Sequence, residues 1–398
     1  MKSERNWGRL GMKFKRYNLS ELVTIKYGKN QKKVATEDKN IPIYGTGGLM
    51  GYATTYLYDK PSVLIGRKGS IGKVKYVEHP FWTVDTLFYT VIDTDIVIPK
   101  YLYYIMSLID LNNYNEGTTI PSLRTETLNR LELDIPSIEN QKLVLSHLNP
   151  IDEKIELNNA INNNLAEQIK TICTAWLSDY SPFSNVLTDD WSKKPLSSIA
   201  DFVNGYSYKG SELTESNIAM VTIKNFDRKG GFKLSGYKEI VPSNKLKDTQ
   251  HVKLFDTFVA HTDLTQNAEI IGNAELLMNT SGYKDIVFSM DLVKVVPKNK
   301  HISNFLVAAI LQDKKFKAHC LGYVNGTTVL HLSKKALPEY QLHLPADLSE
   351  LKPLDELVTA LYKRISSNIE EITKLETLRD NLLPKLMSGE LDVSELNL

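Results

Sequence analysis

Gly117-Thr118-Thr119-Ile120-Pro121-Ser122-Leu123 returns later in the chain as Gly326-Thr327-Thr328-Val329-Leu330-His331-Leu332, at an offset of 209 (117 to 326). The same offset pairs Leu128 with Leu337, Leu133 with Leu342, Ile135 with Leu344 and Pro136 with Pro345. Upstream, residues 14–28 (FKRYNLSELVTIKYG) align with residues 191–205 (WSKKPLSSIADFVNG) at an offset of 177 (14 to 191). An aromatic residue, basic residues, a Leu-Ser pair and a closing Gly fall in step. An ordered series matching start to start and end to end reads as an internal duplication. The offset grows from 177 to 209, so the second copy carries about thirty extra residues in its middle.

Working outward from the repeat, Leu131, Leu133 and Ile135 alternate and stop at Pro136; Tyr340, Leu342 and Leu344 do so before Pro345. Period two with a closing proline reads as a strand with one buried face. The interiors are rich in β-branched and aromatic runs bounded by Gly-rich turns: 62–65, 74–77 and 87–92 in the first copy, 220–223, 257–260 and 291–296 in the second. Short helical patterns cover 99–109 and 301–312. Each copy is therefore expected to be a mixed α+β domain.

After each copy the period changes. Leu148, Ile151, Ile155, Asn158, Asn162, Leu165, Ile169, Ile172 and Trp176 step alternately by three and four, the a/d seam of a coiled coil. Pro150 marks a kink or an early turn in this reading. Leu354, Val358, Leu361, Ile365, Asn368, Ile372 and Leu375 repeat the seam until Pro384 ends it. Two seams of similar length in one chain most simply bury each other, antiparallel, as a rod of roughly 50–60 Å; pairing with another chain is the alternative. The seam asparagines have two competing readings. A buried Asn fixes register at some loss of stability; otherwise these positions are wet or face a partner.

Composition bounds the function. The chain has 398 residues, 42% hydrophobic and 24% charged, the balance of an ordinary globular protein of two or three domains. A net charge of +1 argues mildly against nucleic-acid binding, although an average conceals local patches. The two cysteines, Cys173 and Cys320, lie far apart without metal-ligand spacing and read as buried thiols in a reducing cytoplasm. Met1 to Arg16 carries no apolar run of a signal peptide, and no uninterrupted apolar stretch of ~20 residues is present to cross a membrane.

Catalytic motifs fail one at a time. Gly45-Thr46-Gly47-Gly48-Leu49-Met50-Gly51 departs from the G-x-G-x-x-G spacing of a dinucleotide site and reads as a turn. Gly66-Arg67-Lys68-Gly69-Ser70-Ile71-Gly72-Lys73 lacks the gap and the hydroxyl of a P-loop, and a strand rather than a helix follows it. It reads as a cationic hairpin turn suited to a DNA backbone or a guanine edge, or else as a solvated surface hairpin. The counterpart in the second copy, His261-Thr262-Asp263-Leu264-Thr265-Gln266-Asn267, has the amides and hydroxyls of base-edge readout, or is a polar surface loop. The eight histidines form no metal cluster, and no Asn/Asp-Pro-Pro-Tyr/Phe methyltransferase motif occurs.

Taken together, the duplication, the Gly-Thr-Thr loops and the long helix after each copy resemble the specificity subunit of type I restriction–modification systems. The most specific stretches are 63–73 (VLIGRKGSIGK), 117–123 (GTTIPSL), 261–272 (HTDLTQNAEIIG) and 378–391 (LRDNLLPKLMSGEL). The resemblance implies two pseudo-two-fold-related α/β target-recognition domains, 12–137 and 191–346, joined through a linker at 179–190. Long antiparallel coiled-coil helices at 138–178 and 347–386 would separate them, with a tail at 387–398. Each domain would read half of a split double-stranded DNA target. Two modification (methyltransferase) subunits would bring S-adenosylmethionine and methylate adenine; restriction subunits would add ATP- and Mg-dependent translocation and cleavage. This chain would bind no cofactor or metal and would be non-catalytic and cytoplasmic. The expected DNA contacts are Arg67, Lys68, Ser70, Lys73, Thr46, Thr118 and Thr119 in the first copy. In the second they are His261, Thr262, Asp263, Thr265, Gln266, Asn267, Thr327 and Thr328. The expected spacer contacts are Ile155, Asn158, Asn162, Leu165, Ile169, Leu361, Ile365, Asn368, Ile372 and Leu375. Departures remain: the second copy lacks Pro-Ser after its Gly-Thr-Thr and lacks the Gly-Ser-Ile-Gly-Lys turn. A self-contained methyltransferase or nuclease, which would itself bind S-adenosylmethionine, and a coiled-coil adaptor without a DNA role are the other readings.

Overall fold

The structure is a computed structural model and describes residues 5–6, 13–183, 190–228, 230–265 and 267–391. Gln266, residues 184–189 of the expected linker and residues 392–398 of the expected tail lie outside the described residues. The chain divides into two compact units: one runs up to Ile155 and resumes at Lys374, the other is Glu156–Thr373.

In the first unit, Lys13–Asn18 pairs antiparallel with Glu132–Pro136, with Lys15 opposite Ile135 and Asn18 opposite Glu132. Leu131, Leu133 and Ile135 are buried while Glu132 is exposed, the alternation a half-buried strand requires. A four-stranded antiparallel sheet holds Val23–Tyr27, Leu87–Ile92, Ser62–Gly66 and Val74–Val77, in that spatial order. A smaller sheet contains a parallel pair, Ile43 opposite Trp82. The helix Pro99–Ser107 starts with a proline in its first turn, where a missing N–H leaves no bond unmade. It buries Tyr101, Leu102 and Tyr104 in a core with Ile65, Phe88, Leu133 and Leu148.

The second unit has a corresponding end pair and four-stranded sheet. Ser192–Pro195 pairs with Gln341–Leu344, with Ser192 opposite Leu344 and Pro195 opposite Gln341. These are the first unit's pairs carried forward by the two sequence offsets, 177 and 209. Its four-stranded sheet has the same order: Ala200–Asn204, Leu292–Pro297, Thr257–Ala260 and Ala274–Leu276. The second unit too contains a parallel pair, Met220 opposite Val287, in a smaller three-stranded sheet. The strand read at 220–223 runs instead from Ile218 to Val221, because Thr222 caps a short helical turn with its hydroxyl on Lys224 N. Asn304–Leu311 is the backing helix, capped by Ser303 Oγ on Leu306 N.

The long helices are Ile138–Leu177 and Lys352–Met387. Pro384 does not end its helix as read from the sequence, and Pro150 lies inside a helix rather than at its start. The first helix begins before Pro150 and runs through it, and the second continues past Pro384 to Met387. A proline removes one backbone bond and crowds the preceding turn; packing keeps both helices intact, Leu148 with Leu383 and Leu386 lying in the first unit's core. Within the second unit the helices run in opposite directions: Asn158 Nδ2 donates to Glu371 Oε2 at 2.9 Å, and Asn368 Nδ2 to Asn162 Oδ1 at 2.8 Å. Asn158 and Asn368 are buried, and each finds a polar partner on the facing helix. Ile169 and Ile365 are buried and Leu165 and Leu361 half-buried in the core shared with Leu354, Val358 and Tyr362. Ile155 is buried in the first unit; Ile372 and Leu375 are half-buried. No helix among the described residues is long and apolar enough to cross a membrane.

Candidate nucleic-acid interface

The structure brings the cationic turn of the first unit against its Gly-Thr-Thr loop. Leu123 N donates to Arg67 O at 2.9 Å, Gly69 N to Pro121 O at 2.9 Å, and Lys68 bridges to Ser122. The loop is closed by a residue the sequence reading missed: Asn115 Oδ1 accepts from Gly117 N and Ser122 N, both at 2.9 Å. An Asx residue two positions before a Gly-Thr-Thr is the signal that was available. Gly117 has a steric reason, since a Cβ there would stand 1.9 Å from Ile120 O.

Arg67 is held ready. Its Nη1 donates to Asp85 O at 2.9 Å and its guanidinium lies 5.0 Å from the Tyr27 ring centre. Lys68, Ser70, Lys73, Thr118 and Thr119 are exposed beside it. Thr46 sits elsewhere, at the tip of the hairpin formed by Ile41–Gly45 and Gly48–Ala53.

The second unit builds the same junction. Leu332 N donates to His261 O at 2.9 Å, and Thr262 and Asp263 pair with His331 and Leu330. Carried by the 209 offset, Ser122 and Leu123 become His331 and Leu332, so the ladder register is the same in both units. Gly326 matches Gly117: a Cβ there would stand 2.2 Å from Val329 O.

Within this junction the polar residues divide. Thr262 and Asp263, read from the sequence as base-edge contacts, are turned inward. Thr262 Oγ1 donates to Asp291 Oδ1 at 3.0 Å. Asp263 is 1% exposed; Oδ1 accepts from Thr265 N and Oγ1, both at 2.8 Å, and Oδ2 from Ile270 N at 2.7 Å and Ile271 N at 3.3 Å. Burial pushes this carboxyl up, but the Ile270 and Thr265 donors outweigh it and hold it below the ordinary aspartate value. Lys317 Nζ, another residue the sequence reading missed, closes the loop by donating to the carbonyls of Ala268, Glu269 and Ile271. The half-buried Thr265 also serves the scaffold, which leaves Asn267, Thr327 and Thr328 exposed and His261 half-buried. Burial, then His331 and Lys334, lower the His261 imidazole, keeping it neutral near pH 7.

Chemically, these junctions offer donors, acceptors and cations on rigid loops. Cys173 and Cys320 are buried free thiols pushed up to about 12 by burial. Among the described residues no group of three or more His, Cys, Asp or Glu is placed to hold a metal ion.

Comparison with known proteins agrees with this architecture. Residues 12–167 match the family described as the type I restriction modification DNA specificity domain. The chain is 26% identical over 370 residues to the type I restriction enzyme MjaIX specificity subunit of Methanocaldococcus jannaschii, covering 85% of this chain and 80% of the relative. It is 22% identical over 364 residues to the HindI specificity subunit of Haemophilus influenzae, covering 75% and 79%. The crystal structure of the type I restriction–modification system S subunit from M. genitalium has the same fold, with a TM-score of 0.54 at 18% identity, over 97% of this chain and 99% of that one. The first repeat thus matches the DNA specificity domain of type I restriction–modification systems, and most of the chain is similar to their specificity subunits.

Proposed function

We propose that this chain reads a two-part DNA target and holds modification subunits on it. The observation that carries this reading is the junction built twice, in one ladder register, with different side chains outside: Arg67, Lys68 and Lys73 in one unit, His261 and Asn267 in the other. A repeated scaffold with divergent exposed residues suits two readers of different half-sites. On this reading the units are pseudo-two-fold-related target-recognition domains, at 12–137 and 191–346. The paired long helices form an antiparallel coiled-coil spacer whose buried asparagines fix its register. Chemistry belongs to partners: two methyltransferase subunits carry S-adenosylmethionine and flip the target adenine into their own pocket, and restriction subunits use ATP and Mg.

The test is to co-express this chain with its neighbouring methyltransferase and map the methylated adenines. The expected pattern is one split target with a fixed gap. Methylation that ignores sequence, or that needs no partner, would count against it.

Arg67→Ala is expected to relax the first unit's half-site only, lowering cognate preference there by ~1–3 kcal/mol. Lys68→Ala is expected to weaken binding to all duplexes alike and to reduce the slope of log affinity against log salt by about 1. Titrations of cognate and mismatched duplexes at several salt concentrations separate the two effects.

A further inference from the structure

Two large aliphatic side chains stand bare at these junctions, Ile120 at 59% and Leu264 at 67% exposure. A single exposed aliphatic is ordinary on a protein surface. The placement of these two is less so. In the first unit Lys68 pairs with Ser122, and Ile120 stands two residues before Ser122, just beyond that contact. In the second, Thr262 pairs with His331 and Asp263 with Leu330, and Leu264 follows directly where that ladder ends. By the 209 offset, Ile120 corresponds to Val329, which is half-buried in the second unit. Each unit therefore carries a bare aliphatic at the edge of this junction, from the Gly-Thr-Thr loop in the first unit and from the facing loop in the second.

These positions are also rigid. Ile120 lies between the Gly117 closure, fixed by Asn115, and Pro121, whose carbonyl accepts from Gly69 N. Leu264 follows Asp263 and its four donors in a loop closed by Lys317. The neighbours are hydroxyls, amides and cations: Lys68, Thr118 and Thr119 in one unit, Thr265, Asn267 and Thr328 in the other. An apolar knob fixed among polar donors suits a surface that is itself polar with one apolar group. In the major groove that group is the thymine 5-methyl.

We propose that Ile120 and Leu264 each read a thymine methyl, one in each half of the target. The proposal rests on the DNA-reading function above and adds the chemical feature that each unit recognises.

The experiment uses the full chain in complex with its methyltransferase, and duplexes in which each thymine of the mapped target is replaced in turn by deoxyuridine. The wild-type complex is expected to lose about fourfold in affinity at one thymine in each half-site, the effect of exposing one methyl-sized apolar group. Leu264→Ala is expected to abolish the deoxyuridine penalty in one half-site and keep it in the other; Ile120→Ala should do the reverse. Both side chains are solvent-exposed, so the variants keep the fold, which their retained discrimination in the other half-site verifies. Wild-type indifference to every deoxyuridine, or variants that keep both penalties, would overturn the proposal. Loss of preference for cognate over random DNA by the wild type would instead defeat the DNA-reading function itself.

Discussion

Asp263→Ala should release the 261–272 loop and erase recognition of one half-site while the other is still read. The carboxylate is the single acceptor set for Thr265 N and Oγ1, Ile270 N and Ile271 N, and it is 1% exposed. Its removal leaves three amides and a hydroxyl in a buried space without partners. An unsatisfied buried donor costs ~1–3 kcal/mol. The loop can open to water and recover part of that, so the expected loss for the second unit is about 2–4 kcal/mol. The loop cannot open alone: Thr262 and Asp263 form its ladder to His331 and Leu330. The second Gly-Thr-Thr loop therefore loosens with it. Asp263→Asn should do nearly as badly, since an amide NH2 would meet donors where only acceptors fit. Thr265→Ala removes one of the four donors and should cost far less. Hydrogen exchange of residues 262–271 and 328–332 reports the opening, and the methylation map reports the loss of half the target. Unaltered exchange in Asp263→Ala would refute the account. The pH sign also follows. This carboxyl is held below its ordinary value, so its contribution is complete above the unfolded aspartate pKa, ~4, and fades as pH falls through the lower folded value.

The duplication made much of this fold legible beforehand. Offsets of 177 and 209 between the two copies reappear as strand registers, Lys15 with Ile135 against Ser192 with Leu344. Register is what hydrophobic alternation specifies most tightly, because a slip of one residue turns every buried side chain outward. The helix breakers were less legible. Pro150 and Pro384 were read locally, whereas the surrounding apolar contacts of Leu148, Leu383 and Leu386 decide that the helices continue. The junction was half legible. Its two loops could be found as motifs, but nothing local says that Asp263 faces inward and Asn267 outward. Polar residues in a loop serve either the loop or a ligand, and the choice depends on donors such as Ile270 N and Lys317 Nζ that lie outside the motif. Asn115 was overlooked for the same reason: its partners are backbone amides, which carry no sequence signature of their own.

A second buried carboxylate in the same unit should behave in the opposite way. Glu275 sits on Ala274–Leu276, 4% exposed, opposite Phe258, with Gly231 N donating to its Oε1 at 2.7 Å. Burial raises its carboxyl, the Gly231 amide lowers it, and the Asp227 charge raises it again, leaving it at about 7. A folded pKa above the unfolded value means that the folded state holds the proton more tightly. Stability is then greatest below the ordinary carboxyl value of 4.5, falls as pH rises through the interval to about 7, and stays low beyond it. The whole interval corresponds to roughly 3 kcal/mol. Glu275→Gln keeps a carbonyl oxygen for Gly231 N and removes the ionisation. It should therefore leave the protein at pH 5 nearly unchanged and stabilise it at pH 8 by an amount of that order. Denaturant unfolding of the full chain at pH 5, 6, 7 and 8 gives the comparison, followed by the fluorescence of Trp191, which is buried in the second unit. Wild-type and variant curves that run parallel across those pH values would show that Glu275 is not the source of the slope. The retained carboxylate has a structural use: it ties Gly231 to the sheet, and the neighbouring Arg228 reaches Glu269 in the 261–272 loop at 3.2 Å. The tether holds in either protonation state, since both leave an oxygen for the Gly231 amide, so stability is expected to vary with pH while half-site preference does not.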